Sequence, residues 1–235
     1  MKLPKRNFYK TDLFNQYLYA KCWSDSLYIT CSFIAKYIYD DARLVAKLSK
    51  GDDDFWLFLD TIQTYNRCYV KLIDESEVVG ALPFIRLQMD NLAVLYAESK
   101  DTGNILHKLF DNKREFNQVK VNGKEVKKST LIRELDEKYN GLLDIWEEYN
   151  LYTHPTYKTN SKEALCLDSY YNHKLGKEVI PQRIKKELYK DMVFVNKVIV
   201  DVLYSILDQY IDVIKKHKQY TFYKQIVADT SFKII

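Results

Sequence analysis

Arg86 and Asp90, four residues apart, and His154, held against Pro155, are the residues of this chain whose types and placement suit acid–base and phosphoryl chemistry. An imidazole titrates near neutrality and can move protons, a guanidinium stabilises charge on phosphoryl oxygens, and a carboxylate can orient either one. Tyr149 and Asn150 precede the histidine in "YNLYTHPTYK", and Thr156 and Tyr157 follow it, adding hydrogen-bonding groups and aromatic faces that could stack on bases. Each feature also has a plain structural explanation. A histidine at a helix carboxyl end can serve free carbonyls and the helix dipole. Arginine and aspartate at i,i+4 form a surface ion pair contributing a few tenths of a kcal/mol. Most tyrosines beside helix interfaces pack their rings and leave the hydroxyl wet.

The bulk composition leaves few other chemistries. The 36 Lys plus Arg against 32 Asp plus Glu leave a formal charge of +4 over 235 residues, so any contact with RNA would need a local patch rather than a global field. Cys22, Cys31, Cys68 and Cys166 have no CxxC spacing and no clustered histidines, which argues against zinc and for reduced thiols in the cytoplasm. No P-loop, GxGxxG, HExxH or GxSxG occurs, so no cofactor or metal is expected. The first residues lack an apolar run, and the most apolar stretch is interrupted by Lys197 and Asp201, short of the ~20 residues of a membrane span. The expectation is a soluble protein with no membrane partner.

The elements that must position these residues read as helices. Six Gly and four Pro against 47% hydrophobic and 29% charged residues describe an all-α chain, expected to be one domain over 1–235. Apolar positions from Leu13 to Val45 follow one helical face between about 12 and 47; Phe55, Leu59, Ile62, Tyr69 and Ile73 mark a second helix to about Glu77. Pro83 suits the first turn of a third helix running to about Lys100, with Arg86, Asp90, Ala93 and Ala97 in one stripe. Residues 101–128 are irregular, and the Asn-Gly pair of "VKVNGKEVK" predicts a tight hairpin. From Ser129, Leu131, Leu135, Tyr139, Leu142, Trp146 and Tyr149 predict a fourth helix that contains Gly141 and stops before His154, because Pro155 disfavours α geometry there. After a polar connection over 155–180, Val195 to Ile214 predict a long final helix. Five long helices with an irregular insertion and at most one short β-hairpin make a bundle.

The segment "LLDIWEEYNLYTHPTYK", preceded by the "IRLQMDNLAVLYA" helix, resembles HEPN-superfamily proteins, in particular uncharacterised and abortive-infection families. Those families have an arginine followed four residues later by an acidic residue, matched by Arg86 and Asp90, and then a tyrosine, a short polar stretch and His-Pro-Ser or a near variant, matched by Tyr149, Asn150, His154, Pro155 and Thr156. The resemblance covers roughly residues 80 to 160. It implies a helical bundle, commonly a homodimer, whose paired protomers form a cleft that binds RNA or cuts it without metal. His154, Arg86 and Asp90 would be catalytic; Tyr149, Asn150, Thr156 and Tyr157 would contact substrate. A ribonuclease or toxin role in bacterial or phage conflict, including antiphage defence, follows from the same likeness.

One departure divides the reading. Active HEPN ribonucleases carry an arginine a few residues before the histidine, where this chain has Glu147, Glu148 and Tyr149. Either Arg86 supplies the cation from another helix, or the domain is catalytically silent. The alternative function is a non-enzymatic helical module that binds a protein partner. The site reading places His154 just beyond the fourth helix, in a polar cleft within reach of Arg86 and Asp90, with Tyr149 packed beneath it.

Overall fold

The computed structural model describes residues 54–75, 77–101, 104–111, 120–150 and 182–209. They form α1 (Asp54–Asp74), α2 (Val78–Lys100), α3 (Ile105–Asp111), a hairpin of β1 (Lys120–Val121) and β2 (Lys124–Glu125), α4 (Lys128–Lys138), α5 (Leu142–Asn150) and α6 (Gln182–Asp208). The fold is all-α with one short antiparallel hairpin, as the composition and the Asn-Gly pair predict. The expected helix over 12–47, the connection over 155–180 and the last turns of the final helix lie outside the described residues. Among the described residues no helix is long and apolar enough to cross a membrane.

The centre of the bundle is α2, which packs against α1, α3, α4, α5 and α6. Ala81, Leu82, Ile85, Met89, Leu92, Ala93, Leu95 and Ala97 are all buried, so apolar residues cover most of its circumference, as a helix enclosed by neighbours requires. It begins at Val78, five residues before the expected start at Pro83. The proline ring removes only the bond to the carbonyl of residue 79, near the helix start, while the earlier start brings Ala81 and Leu82 into the core. In consequence α1 stops at Asp74, short of Glu77, whose carbonyl instead accepts from the Ala81 amide at 3.0 Å.

A buried carboxylate shapes the turn that follows α2. Glu98 is fully buried in α2, and its Oε2 accepts from the backbone amides of Ile105 at 3.0 Å and Leu106 at 2.9 Å. These are the otherwise unserved donors at the start of α3, a helix that the irregular composition of 101–128 concealed. At the hairpin, Asn122 (φ 49°) and Gly123 (φ 79°) both adopt positive φ, the requirement of a type I′ turn. Lys120 then pairs with Glu125 and Val121 with Lys124, and Val121 is turned into the core.

The expected single helix from Ser129 to Tyr149 is two helices. The α4 helix ends at Lys138, and Gly141 takes φ 98°, reversing the chain before α5. Asp136 secures the break by accepting from Gly141 N at 2.9 Å and Leu143 N at 3.0 Å. A Cβ added at Gly141 would meet nothing within 4 Å, so the glycine is needed for its backbone conformation and not for close packing. These two divisions, the appearance of α3 and the split at Gly141, raise the described helices to six. The final helix starts at Gln182, directly after the expected connection over 155–180, and carries Leu188, Val195, Val198, Ile199 and Leu203 into the core. Within that core Asn196 Nδ2 donates to Asn66 Oδ1 at 2.7 Å, pinning α6 to α1.

Two outcomes follow from these junctions. Gly141→Ala should lower stability by about 1–2 kcal/mol through backbone strain alone, measured from the urea midpoint with an unchanged helical spectrum. Asn196→Leu should destabilise by about 1–3 kcal/mol because it removes a buried partner of Asn66, and adding Asn66→Leu should restore part of the loss; a double variant no better than the single one would show that the pair is not coupled.

Candidate functional site

The polar edge of α2 carries Arg86 and Asp90 one turn apart, and α4 and α5 close around it. Arg86 Nη1 donates to Asp90 Oδ1, its Nε donates to Asn150 Oδ1 at 3.4 Å, and the guanidinium lies over the Trp146 ring, 4.6 Å from the centroid. Trp146 and Asn150 can grip the same group because they are four residues apart on α5 and so share a face. Lys128, the first residue of α4, brings its Nζ to 3.5 Å from Asp90 Oδ2. The Arg86 and Asp90 side chains retain only 13% and 23% of their exposure, so this is a partly desolvated cluster and not the exposed surface pair of the plain reading. Two cations face one carboxylate, and Arg86 Nη2 has no hydrogen-bond partner among the described residues.

Of the residues singled out from the sequence, Arg86, Asp90 and Asn150 come together. Tyr149 turns elsewhere. One residue along a helix is a rotation of about 100°, so when Asn150 faces α2, Tyr149 faces α1 and α6. Its ring is 1% exposed and its hydroxyl donates to Asp191 Oδ2 at 2.9 Å. Tyr149 thus holds α5 in place from within the core, where the resemblance had assigned it a contact with substrate. His154, with Pro155, Thr156 and Tyr157, lies outside the described residues, as does its expected position beside Arg86.

Trp146 and Asp191 were missed as contributors, and Lys128 was weighed only as one of a run of lysines that could contact phosphate. Lys128 sits in a lysine run that reads as a solvated face, and Trp146 reads as a core position of an apolar stripe. The available signal was the i,i+4 spacing of Trp146 and Asn150, which marks a stripe with an aromatic and an amide side by side. Nothing local marks Asp191, which is 42 residues from Tyr149 along the chain.

Between α1 and α6, Tyr69 Oη donates to the Leu188 carbonyl at 3.0 Å, and Tyr189 Oη donates to Asp74. Burial, reinforced by the negative charge of Asp191, pushes the Tyr69 phenol well above its usual value near 10. Burial likewise pushes Tyr149 well above that value, with Tyr69 and Asp191 adding to the effect. Both therefore remain neutral donors throughout the physiological range, a stable support for α5.

Comparison with protein-family models, with curated proteins and with solved structures found no match.

The buried phenols generate a pH dependence. The unfolded chain releases these protons near pH 10 and the folded chain retains them, so above pH 10 the native state binds more protons and stability falls as pH rises. Tyr69→Phe should reduce that alkaline loss, followed by urea unfolding between pH 8 and about 11. Tyr149→Phe should in addition destabilise at neutral pH by about 1–3 kcal/mol, because Asp191 loses a donor.

Proposed function

We propose that the Arg86 cluster is the phosphate-contacting part of a HEPN-like RNA-binding site. The observation that carries this reading is the seating of Arg86 against Asn150, which unites the two separated parts of the motif, with an Nη2 edge unengaged by the described residues and Lys128 alongside. A planar guanidinium whose Nε and Nη1 are already fixed presents its remaining donors in a defined direction, which suits recognition of phosphoryl oxygens. Asn150 is four residues before His154 in the sequence, so the helix that grips the arginine also leads to the imidazole.

In this reading RNA binds across Arg86 and Lys128. Cleavage, where it occurs, is attack of a ribose 2′-hydroxyl on the adjacent phosphate: His154 takes the hydroxyl proton, Arg86 stabilises the phosphoryl oxygens, and the 5′-oxygen leaves with a proton to give a cyclic phosphate and a 5′-hydroxyl. No metal enters that scheme. Glu147 and Glu148 stand where active relatives of the resembled family carry an arginine, so binding without turnover is the activity that Arg86 alone accounts for. Pairing of two protomers belongs to the same reading, as does a toxin or antiphage role.

The test is fluorescence anisotropy of a labelled single-stranded RNA in chelator, over a salt series, with product analysis on a gel. Arg86→Gln should weaken binding about tenfold and flatten the salt slope by roughly 0.7, the loss of one phosphate contact. His154→Ala should abolish any cleavage while leaving the helical spectrum intact. Equal RNA affinity in wild-type and Arg86→Gln proteins would remove the cluster from the reading, and binding of no RNA at any salt would leave the protein-interaction module as the function.

A further inference from the structure

A second feature of the bundle has a different chemistry from the Arg86 cluster. Between the start of α5 and one side of α6 lies an open cleft of about 370 Å³, within the size range of small-molecule sites. Ile145 and Val193 supply apolar walls, and Lys190, Phe194 and Lys197 follow one stripe of α6 at i, i+4 and i+7. An aromatic ring is therefore flanked by two ammonium groups whose backbone positions are about 10 Å apart along the helix. Asp191 also lines the cleft and is held from behind by the Tyr149 hydroxyl at 2.9 Å.

The charges narrow what can bind. Lys190 is exposed, and none of the ion pairs formed among the described residues includes it. Lys197 also faces Asp201, whose carboxyl is pushed up by burial and drawn back down chiefly by that lysine. Cations at both ends of the stripe favour a negatively charged ligand, while Asp191 repels an anionic group from the middle and can accept from a ring N–H or O–H. Phe194, half-buried between the lysines, offers a surface for a flat ring, and a lysine can lie over that ring as well as pair with its charge.

We propose that this cleft binds a small aromatic anion, its ring on Phe194 against Ile145 and Val193 and its anionic group taken by Lys190 or Lys197. The site is distinct from the Arg86 cluster because Ile145 and Trp146 are a rotation of about 100° apart on α5, and it stands whether or not RNA binds.

The test uses the full chain and two dyes of the same shape, 8-anilinonaphthalene-1-sulfonate and its uncharged counterpart N-phenyl-1-naphthylamine, each titrated by fluorescence. The sulfonate should bind saturably with one dye per chain, and Lys190→Gln with Lys197→Gln should weaken it about fivefold to tenfold while leaving the neutral dye unaffected. Ile145→Trp, which fills the cleft, should abolish binding of both dyes, with the circular dichroism spectrum and urea midpoint checking that the bundle is intact. Arg86→Gln should change neither dye, which separates this site from the RNA reading. Unchanged sulfonate affinity in the lysine double variant, or undiminished binding in a folded Ile145→Trp protein, would overturn the proposal.

Discussion

Enclosure of α2 is the constraint on which the rest of the structure depends. A helix covered on most of its circumference must be apolar almost all round, and any polar side chain on it must find a partner or a path to water. The α2 helix satisfies this with buried aliphatic residues and alanines over most of its length, and with partners for the polar groups that remain. Gln88 donates to the Ile62 carbonyl at 3.0 Å, Glu98 serves the amides of α3, and Arg86 and Asp90 serve one another. The Arg86 cluster is thus the price of threading a charged pair through the edge of a central helix. The same enclosure makes it ordered, because Trp146, Asn150 and Lys128 can close on it only if α4 and α5 are held against α2.

Those two short helices are held by polar contacts as much as by area. Asp136 receives the amides at the start of α5, Tyr149 fastens its far end to Asp191 on α6, and Lys100 of α2 pairs with Glu134 of α4. With only nine residues, α5 exposes different chemistry on adjacent sides: Trp146 and Asn150 toward the arginine, Tyr149 toward the core, and Ile145 toward the cleft beside α6. A shift of one residue in its register would exchange these sides. The Gly141 reversal and the Asp136 cap together set that register, which couples a backbone conformation to the geometry of two polar surfaces.

Hydrophobic period and turn chemistry made the helical class and the Asn122-Gly123 hairpin legible in the sequence, because both depend on residues close together in the chain. The same local logic identified Arg86 with Asp90 as an i,i+4 pair, whereas Asn150 was joined to them only by the family resemblance. It failed where a local signal was ambiguous. A glycine inside an apolar stripe can be a tolerated defect or a reversal, and only the left-handed backbone at Gly141 distinguishes them. A proline near a helix start marks a boundary only to within a turn, and burial of Ala81 and Leu82 moved it. Contacts between distant segments were decided by the tertiary structure alone: Glu98 reaching the start of α3, Lys128 reaching Asp90, Trp146 beneath Arg86, and Tyr149 bound to Asp191. The reason is physical. Periodicity reports which face of a helix is apolar, whereas the partner of a buried charge is chosen by how the helices pack, and that choice is made only when the chain has folded.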